Sequence, residues 1–346
     1  MMGQHRPQGN PPGPNIISRQ VSAGVQWTLG DLLALAPSVR EAAFTVASSQ
    51  ADETAAENAE AVKTIGLYFD ALKARAVAGA RSDAFKLANA QHDAAAIRAK
   101  AGDAPQLDVV RSDVAVAHAQ ADLASAVTTD ENATEALQSE TAVGAGVLDQ
   151  TVPASPVPIN PTLLDPDRVV TMARTLRPEI ASARLLEQAA RAAIASAKAG
   201  GFPLLTFGGG YLVGTDSGVP VNAPTINANL TLPIGPGARD RVAIAAGKAL
   251  EANAKTASIE RQIVLDVAAS SRELGGAQRV AEAMSRARAA AQLELVATEV
   301  GYRHRASSSL EVTTARSTYT QAVVDELSAS YDVQKSRAIL DVEAGR

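Results

Sequence analysis

Three stretches of the chain alternate apolar and polar residues with a period of two, while the remainder repeats every three or four residues. From Ile17 to Leu29, the residues Ile17, Arg19, Val21, Ala23, Val25, Trp27 and Leu29 alternate with Ser18, Gln20, Ser22, Gly24, Gln26 and Thr28. From Thr225 to Ile234, Ile226, Ala228, Leu230, Leu232 and Ile234 alternate with Thr225, Asn227, Asn229, Thr231 and Pro233. Both patterns predict strands. Pro203 to Val213 is a third strand diluted by Gly208, Gly209 and Gly210, and the turn-rich segment Gly214 to Pro224 closes a hairpin over 203–234. Such alternation suits a half-buried strand in an ordinary sheet. It also suits a transmembrane barrel strand, which needs ~9–11 residues with one face to lipid and one to a watery lumen. The sequence offers no other apolar layer to cover the outer face, which favours the barrel. Trp27, near a strand end, then sits at the headgroup level of a bilayer.

The helical remainder carries its own signal. Ala245, Ala249, Ala252, Thr256, Ile259, Ile263, Val267, Ser270, Leu274, Ala277, Ala281 and Met284 follow in steps of three or four, a coiled-coil seam with one irregularity. The region from about Ala238 to Tyr302 has no proline, and at ~1.5 Å per residue it extends on the order of 100 Å. A second proline-free region runs from about Ser38 to Lys100. Leu107-Asp108-Val109 and Leu310-Glu311-Val312 each open a shorter helix, 78 residues beyond Leu29 and 76 beyond Ile234. The chain therefore reads as two copies of strand, long helix, turn and shorter helix. The expected organisation is a loop N-terminus (1–16), a first repeat (17–150), a proline-rich linker (151–167) and a second repeat (168–346) holding the hairpin and helices 238–302 and 308–344. The fold class is mainly α with a small β part: long antiparallel coiled-coil helices joined to transmembrane β-barrel strands.

Composition sharpens this picture. The chain has 346 residues, 46% hydrophobic but only 3% aromatic, with 5 Phe, 5 Tyr, one Trp and no cysteine. Roughly a fifth is alanine, the best helix former and small enough to let helix axes approach closely. Absence of cysteine excludes disulfides, thiolate catalysis and Cys-ligated metals. The 32 basic and 37 acidic residues give a net charge of -5 without a concentrated basic face, so nucleic acid is not an expected partner. No stretch approaches the ~18 apolar residues of a membrane-spanning helix, so any crossing is by strands. Met1 to Asn15 is polar and rich in Gly and Pro, without the apolar core of a signal peptide. Either the protein stays in the cytosol or its export signal is absent from this sequence. His5, His92, His118 and His304 share no ligand spacing, Gly235-Pro236-Gly237 reads as a turn, and no Ser/His/Asp set or carboxylate pair emerges. Neither enzymatic activity, nor a cofactor, nor a metal is expected.

A set of short motifs points further: Leu176-Arg177-Pro178-Glu179-Ile180 opening a helix, Ala189-Ala190-Arg191-Ala192-Ala193, and Gly201-Phe202-Pro203-Leu204-Leu205 entering a strand. Leu232-Pro233-Ile234-Gly235-Pro236-Gly237 then leaves the hairpin, with Tyr302 before the last turn and Leu310-Glu311-Val312 after it. In this order and spacing, over residues 17 to 345, they resemble the outer-membrane efflux protein family, the TolC-like exit ducts of tripartite pumps and type I secretion systems. The resemblance implies a homotrimer in the outer membrane. Each protomer would give four strands to a twelve-stranded barrel and its helices to a periplasmic tunnel. The duct conducts passively, an inner-membrane pump supplies energy, and a periplasmic adaptor protein clasps the helical tips.

The same resemblance implies a gate at those tips. The first of the family's two gate acids falls on Glu311, and the second on Thr314, which would weaken the ring of negative charge. A latch tyrosine falls on Tyr302, bonding to the acid that aligns with Asp108. The latch arginine falls on Ser307, with Arg303 and Arg305 near enough to replace it. Helix capping accounts for Asp108 and Glu311 equally, because a carboxylate in a helix's first turn suits the positive end of the macrodipole. Three strands rather than four cannot close an antiparallel trimeric ring evenly, and unpaired edges in lipid are costly. The expectation is therefore an N-terminally truncated reading that lacks the signal peptide, first helices and first strand. A soluble coiled-coil scaffold, with the alternating segments in a small sheet and no pore, is the competing interpretation.

Overall fold

The computed structural model describes residues 19–142, 166–216, 219–232, 236–304 and 306–345. The expected N-terminal loop 1–16, Ile17, Ser18, most of the linker 151–167, Pro233 to Gly235 and Arg305 lie outside the described residues. In chain order the elements are β1 (Arg19–Thr28), α1 (Leu29–Lys100), α2 (Gln106–Thr141), α3 (Pro166–Leu176) and α4 (Pro178–Ala199). They continue with β2 (Leu204–Asp216), β3 (Val219–Thr231), α5 (Gly237–Arg303) and α6 (Ser309–Glu343). None of the described helices is long and apolar enough to cross a membrane. Two compact units arise, one from Met1–Ser48 with Ala183–Thr256 and one from Ser49–Ser182 with Ala257–Arg346, so each draws on both halves of the sequence.

The first unit holds an antiparallel sheet in the order β1-β2-β3. Its register sets Val21 opposite Val213, Ala23 opposite Tyr211 and Trp27 opposite Phe207. On the other side of β2, Gly209 lies opposite Ile226, Phe207 opposite Ala228 and Leu205 opposite Leu230. Directly paired residues share a face. One face is thus Val21, Val25, Trp27, Phe207, Tyr211, Val213, Ile226 and Leu230, and all eight are exposed. The opposite face is mixed: it carries Ser22, Gly24, Gln26, Thr28, Thr206, Gly208, Thr225, Asn227 and Asn229, together with Leu204, Leu212, Val219, Val221 and Ala223. Gly24 and Gly210 allow the strands to approach here. A Cβ on Gly24 would stand 2.9 Å from the Gly209 carbonyl oxygen, and one on Gly210 would stand 2.8 Å from that of Ala23.

Two boundaries depart from the expectation. The segment Gly214 to Pro224 is largely strand, not loop: β2 runs to Asp216 and β3 restarts at Val219. Pro220 and Pro224 disguise it, yet both are tolerated because β3 is an edge strand, where a missing N–H need not break a ladder. Helix α1 begins directly after β1 and runs through Pro37, although the proline-free pattern starts at Ser38. Leu29, Leu32, Leu33 and Ala36 already have helical spacing, which outweighs the single backbone bond a proline removes.

In the second unit the core is small and aliphatic. Val169 and Ala173 of α3, Ile180 of α4, Ile263, Val267 and Leu274 of α5, and Leu340 of α6 are buried together. Arg177, between α3 and α4, donates from Nε to the Glu343 carbonyl at 2.7 Å and so satisfies an orphan acceptor at the end of α6. All twelve seam positions of α5 are buried or half-buried. With few aromatics, the flanks are held by ion pairs between helices. Lys73–Asp332 and Lys335–Asp70 join α1 to α6 at 2.8 Å each, Arg81–Asp122 joins α1 to α2 at 3.0 Å, and Arg288–Glu326 joins α5 to α6 at 2.7 Å. Flanking charges of this kind fix the register of a seam that alanine alone leaves weakly specified.

Candidate functional site

The two helical turns of the second unit, between α1 and α2 and between α5 and α6, close on a groove of about 290 Å³. Its polar walls are Arg98, Asp108, Arg111, Glu299, Tyr302 and Arg316. Four elements meet here because each turn brings a helix C-terminus beside a helix N-terminus. Ser307 of the returning chain packs against Gly301, close enough that a side chain there would turn the Ser307 hydroxyl aside. The backbone closes with Ala306 N donating to the Gly301 carbonyl at 2.7 Å.

The two acids that occupy matching places in the repeat behave differently. Glu311 is the third residue of α6, behind the N-cap Ser308, and forms a capping box. Its backbone N donates to Ser308 Oγ at 3.2 Å, and the Ser308 N donates to Glu311 Oε2 at 2.6 Å. Glu311 is nevertheless exposed, as is Thr314 one turn later on the same side. Asp108 is the third residue of α2, behind an N-cap proline, Pro105, which makes no side-chain cap. Pro105 offers neither an N–H nor a side-chain acceptor, so a capping box cannot form. The Asp108 carboxylate reaches across instead. It accepts from Ser309 Oγ at 2.5 Å and lies 3.7 Å from Arg111 Nη1, with only 13% of its side chain exposed. Arg111 also donates to Ser309 Oγ at 3.2 Å, so the starts of α2 and α6 are tied through three side chains.

Tyr302 lines the same groove, but its expected bond to Asp108 is replaced. Arg98, in the last turn of α1, donates to the Tyr302 hydroxyl at 3.4 Å and lies 5.2 Å from the ring centroid, a cation–π contact. With Asp108 held by Ser309 and Arg111, the tyrosine takes the Arg98 guanidinium. Arg316 of α6 grips Glu299 of α5 through Nε at 3.0 Å and Nη2 at 2.6 Å. Arg303 lines the groove, bonding only weakly to its own helix at the Glu299 carbonyl, 3.5 Å away. The structure thus gathers Asp108 and Tyr302, and leaves Glu311 and Thr314 outside the groove on an open face. Trp27 is in the first unit, 68% exposed on β1 opposite Phe207.

Sequence reasoning passed over Arg98, Arg111, Ser309 and Arg316. Arg111 could have been found, three residues after Asp108 on one helix face. Arg98 lies one position from the first-repeat counterpart of Tyr302, a near-coincidence that the repeat alone does not turn into a contact. Chemically, the groove holds paired charges and hydroxyls without a nucleophile–base couple, and it suits a breakable tie between helix ends. Among the described residues no group of three or more His, Asp or Glu gathers into a metal site.

Comparison with known proteins places this geometry in a family. Residues 169–346, more than half of the chain, match the outer membrane efflux protein family. No curated protein matches the sequence significantly. Among solved structures, the outer-membrane channel OprN superposes with a TM-score of 0.78 at 16% identity, over 95% of this chain and 81% of that one. The CmeC outer membrane channel of Campylobacter jejuni gives 0.77 at 14% identity, over 95% and 77%. The open state of the MtrE outer membrane channel of Neisseria gonorrhoeae gives 0.74 at 19% identity, over 96% and 80%. With its family match spanning residues 169–346 and its fold shared along almost the whole length, the chain belongs to the outer membrane efflux protein family, the outer-membrane channel components of efflux systems.

Proposed function

We propose that the protein is a passive conduit, gated at its helical tips and working as a homotrimer with a periplasmic adaptor and an inner-membrane pump. The observation that carries this reading is the sheet. Its apolar face, from Val21 to Leu230, is exposed, and among the described residues no helix of the first unit covers it. An apolar face of this extent in a soluble scaffold would need a protein layer over it. A bilayer serves as that layer, and the amide- and hydroxyl-rich opposite face then lines an aqueous lumen. Trp27 and Phe207 mark the membrane boundary at the helix-proximal end of the strands.

In the second unit, Asp108, Ser309 and Arg111 hold the start of α2 to that of α6, and Arg98 with Tyr302 holds the end of α1 to that of α5. Opening requires these ties to break, at about 1–3 kcal/mol each. Glu311 supplies the charge. Three copies around an axis bias passage toward cations, while Thr314 leaves that field weaker than a second acid would.

Single-channel recording in planar bilayers tests the gate. Glu311→Gln keeps the capping box, because Gln serves at the third helical position as well as Glu, but removes the charge. Divalent-cation block of the current should weaken at unchanged thermal stability. Unchanged block would remove Glu311 from the gate.

A further inference from the structure

Three features of the first unit converge where strands become helices. The last turn of α4 carries Lys198, and the turn Gly200–Pro203 leads into β2. The first turn of α5 lies alongside, with Arg241 Nη2 donating to the Gly200 carbonyl at 3.2 Å. Lys198, Arg239 and Arg241 are all exposed at this junction. Arg241 and Lys248 also edge an alanine-floored groove of about 380 Å³ formed by Ala189, Ala190, Ala193 and Ala245. The facing acids are Asp240, in the same helical turn, and Glu41 at the groove, so cations outnumber acids four to two. Aromatic residues stand at the same end of the sheet: Trp27 opposite Phe207 on the apolar face, and Phe202 in the turn itself, 54% exposed.

We propose that this strand–helix junction binds anionic phospholipid headgroups, with Lys198, Arg239 and Arg241 taking the phosphates beside the aromatic row of Trp27, Phe202 and Phe207. The proposal rests on the membrane reading of the sheet and goes beyond it by naming the lipid. Long cationic side chains next to an apolar band reach into the headgroup layer, and each is worth about fivefold in preference for an anionic surface. The cations are spread over two elements and open to water. A free phosphate would gain little from them, whereas a leaflet presents many headgroups at the fixed depth that the aromatic row sets.

Trp27 is the only tryptophan of the chain and stands in the proposed site, so its fluorescence reports on neighbouring lipid without labelling. The intact protein is reconstituted in phosphatidylcholine vesicles containing a minority of brominated phosphatidylglycerol, and in vesicles with the same share of brominated phosphatidylcholine. Quenching of Trp27 should be several-fold greater with the anionic lipid. The excess should fall by about fivefold in Arg239→Gln and vanish in the Lys198→Gln/Arg239→Gln/Arg241→Gln variant. Arg239, with no part in the Gly200 tie, keeps the test available should the triple variant fold poorly. Equal quenching by the two brominated lipids would overturn the headgroup site while leaving the sheet in the membrane. Quenching by neither would overturn the membrane reading itself. Loss of the anionic excess on adding inorganic phosphate would overturn the commitment to lipid.

Discussion

The two helix-turn-helix tips are copies of one plan, yet they use the same carboxylate position for opposite purposes. In the second tip, Ser308 and Glu311 satisfy each other, and the acid serves its own helix. In the first, Pro105 cannot complete such a pair, and Asp108 serves a different helix by accepting from Ser309. The difference lies three residues upstream of the acid. A cap that satisfies itself leaves its carboxylate facing solvent, and a cap that cannot releases the carboxylate for a cross-link. Whether the acid cross-links the tips or caps its own helix is therefore decided by the residue before the helix as much as by the acid.

Breaking the cross-link should have the largest effect. Asp108→Ala leaves Ser309 and Arg111 facing each other without their acceptor. A hydrogen bond to a charged group is worth about 1.5–3 kcal/mol net of its exchange with water. Its loss should favour opening of each protomer's tip by about tenfold or more, read as a rise in leak current in planar bilayers. The double substitution Pro105→Ser/Asp108→Glu rewrites the first tip in the chemistry of the second. The new box should stabilise α2 by about 1 kcal/mol, visible as a higher Tm than that of Asp108→Ala, and still raise the leak because the carboxylate turns inward to its own helix. A higher Tm with unchanged leak would show that the tie to Ser309 does not restrain the tip.

In the second tip the expected order is reversed. Glu311→Ala removes the box and should cost about 0.5–2 kcal/mol of stability by thermal or denaturant unfolding, with no rise in leak. A leak comparable to that of Asp108→Ala would mean that the two acids do the same work, and the contrast between the tips would be lost.

The sequence carried much of this architecture, and its silences have physical causes. Period-two alternation located all three strands, because a sheet with a different solvent on each side must alternate. It missed the start of β3 because Pro220 and Pro224 look like turn residues until an edge strand receives them. The α5 seam from Ala245 to Met284 was legible position by position, since burial follows helical spacing. The Ser308-x-x-Glu311 box is written in local sequence. The Asp108–Ser309 tie joins residues 201 positions apart and depends on how the tips come together, which no local pattern states. Arg98 was silent for the same reason: its partner Tyr302 lies 204 positions away.

The contrast between the hairpins extends beyond their tips. The second is held by the arginine–carboxylate pairs Arg288–Glu326 and Arg316–Glu299. The first, away from its tip, joins α1 to α2 through Glu60, Lys63 and Glu140, with Lys63 donating to Glu140. A hydrogen bond with Glu140 raises the Glu60 carboxyl above its ordinary value of 4.5, and the same bond, followed by that from Lys63, lowers Glu140. The two shifts act in opposite directions. Glu140 contributes stability that is present above its ordinary range and lost as pH falls through its lowered value. Glu60 contributes stability that is present below 4.5 and lost as pH rises through its raised value. Above that raised value two carboxylates face one ammonium. The pair is therefore expected to lower Tm slightly as pH rises from the carboxylate range toward neutrality, and Glu60→Gln, which holds the shared hydrogen bond at every pH, should remove that contribution. Arg288→Gln in the second hairpin should shift Tm downward without altering that slope. An unchanged slope in Glu60→Gln would place the pH dependence outside the first hairpin.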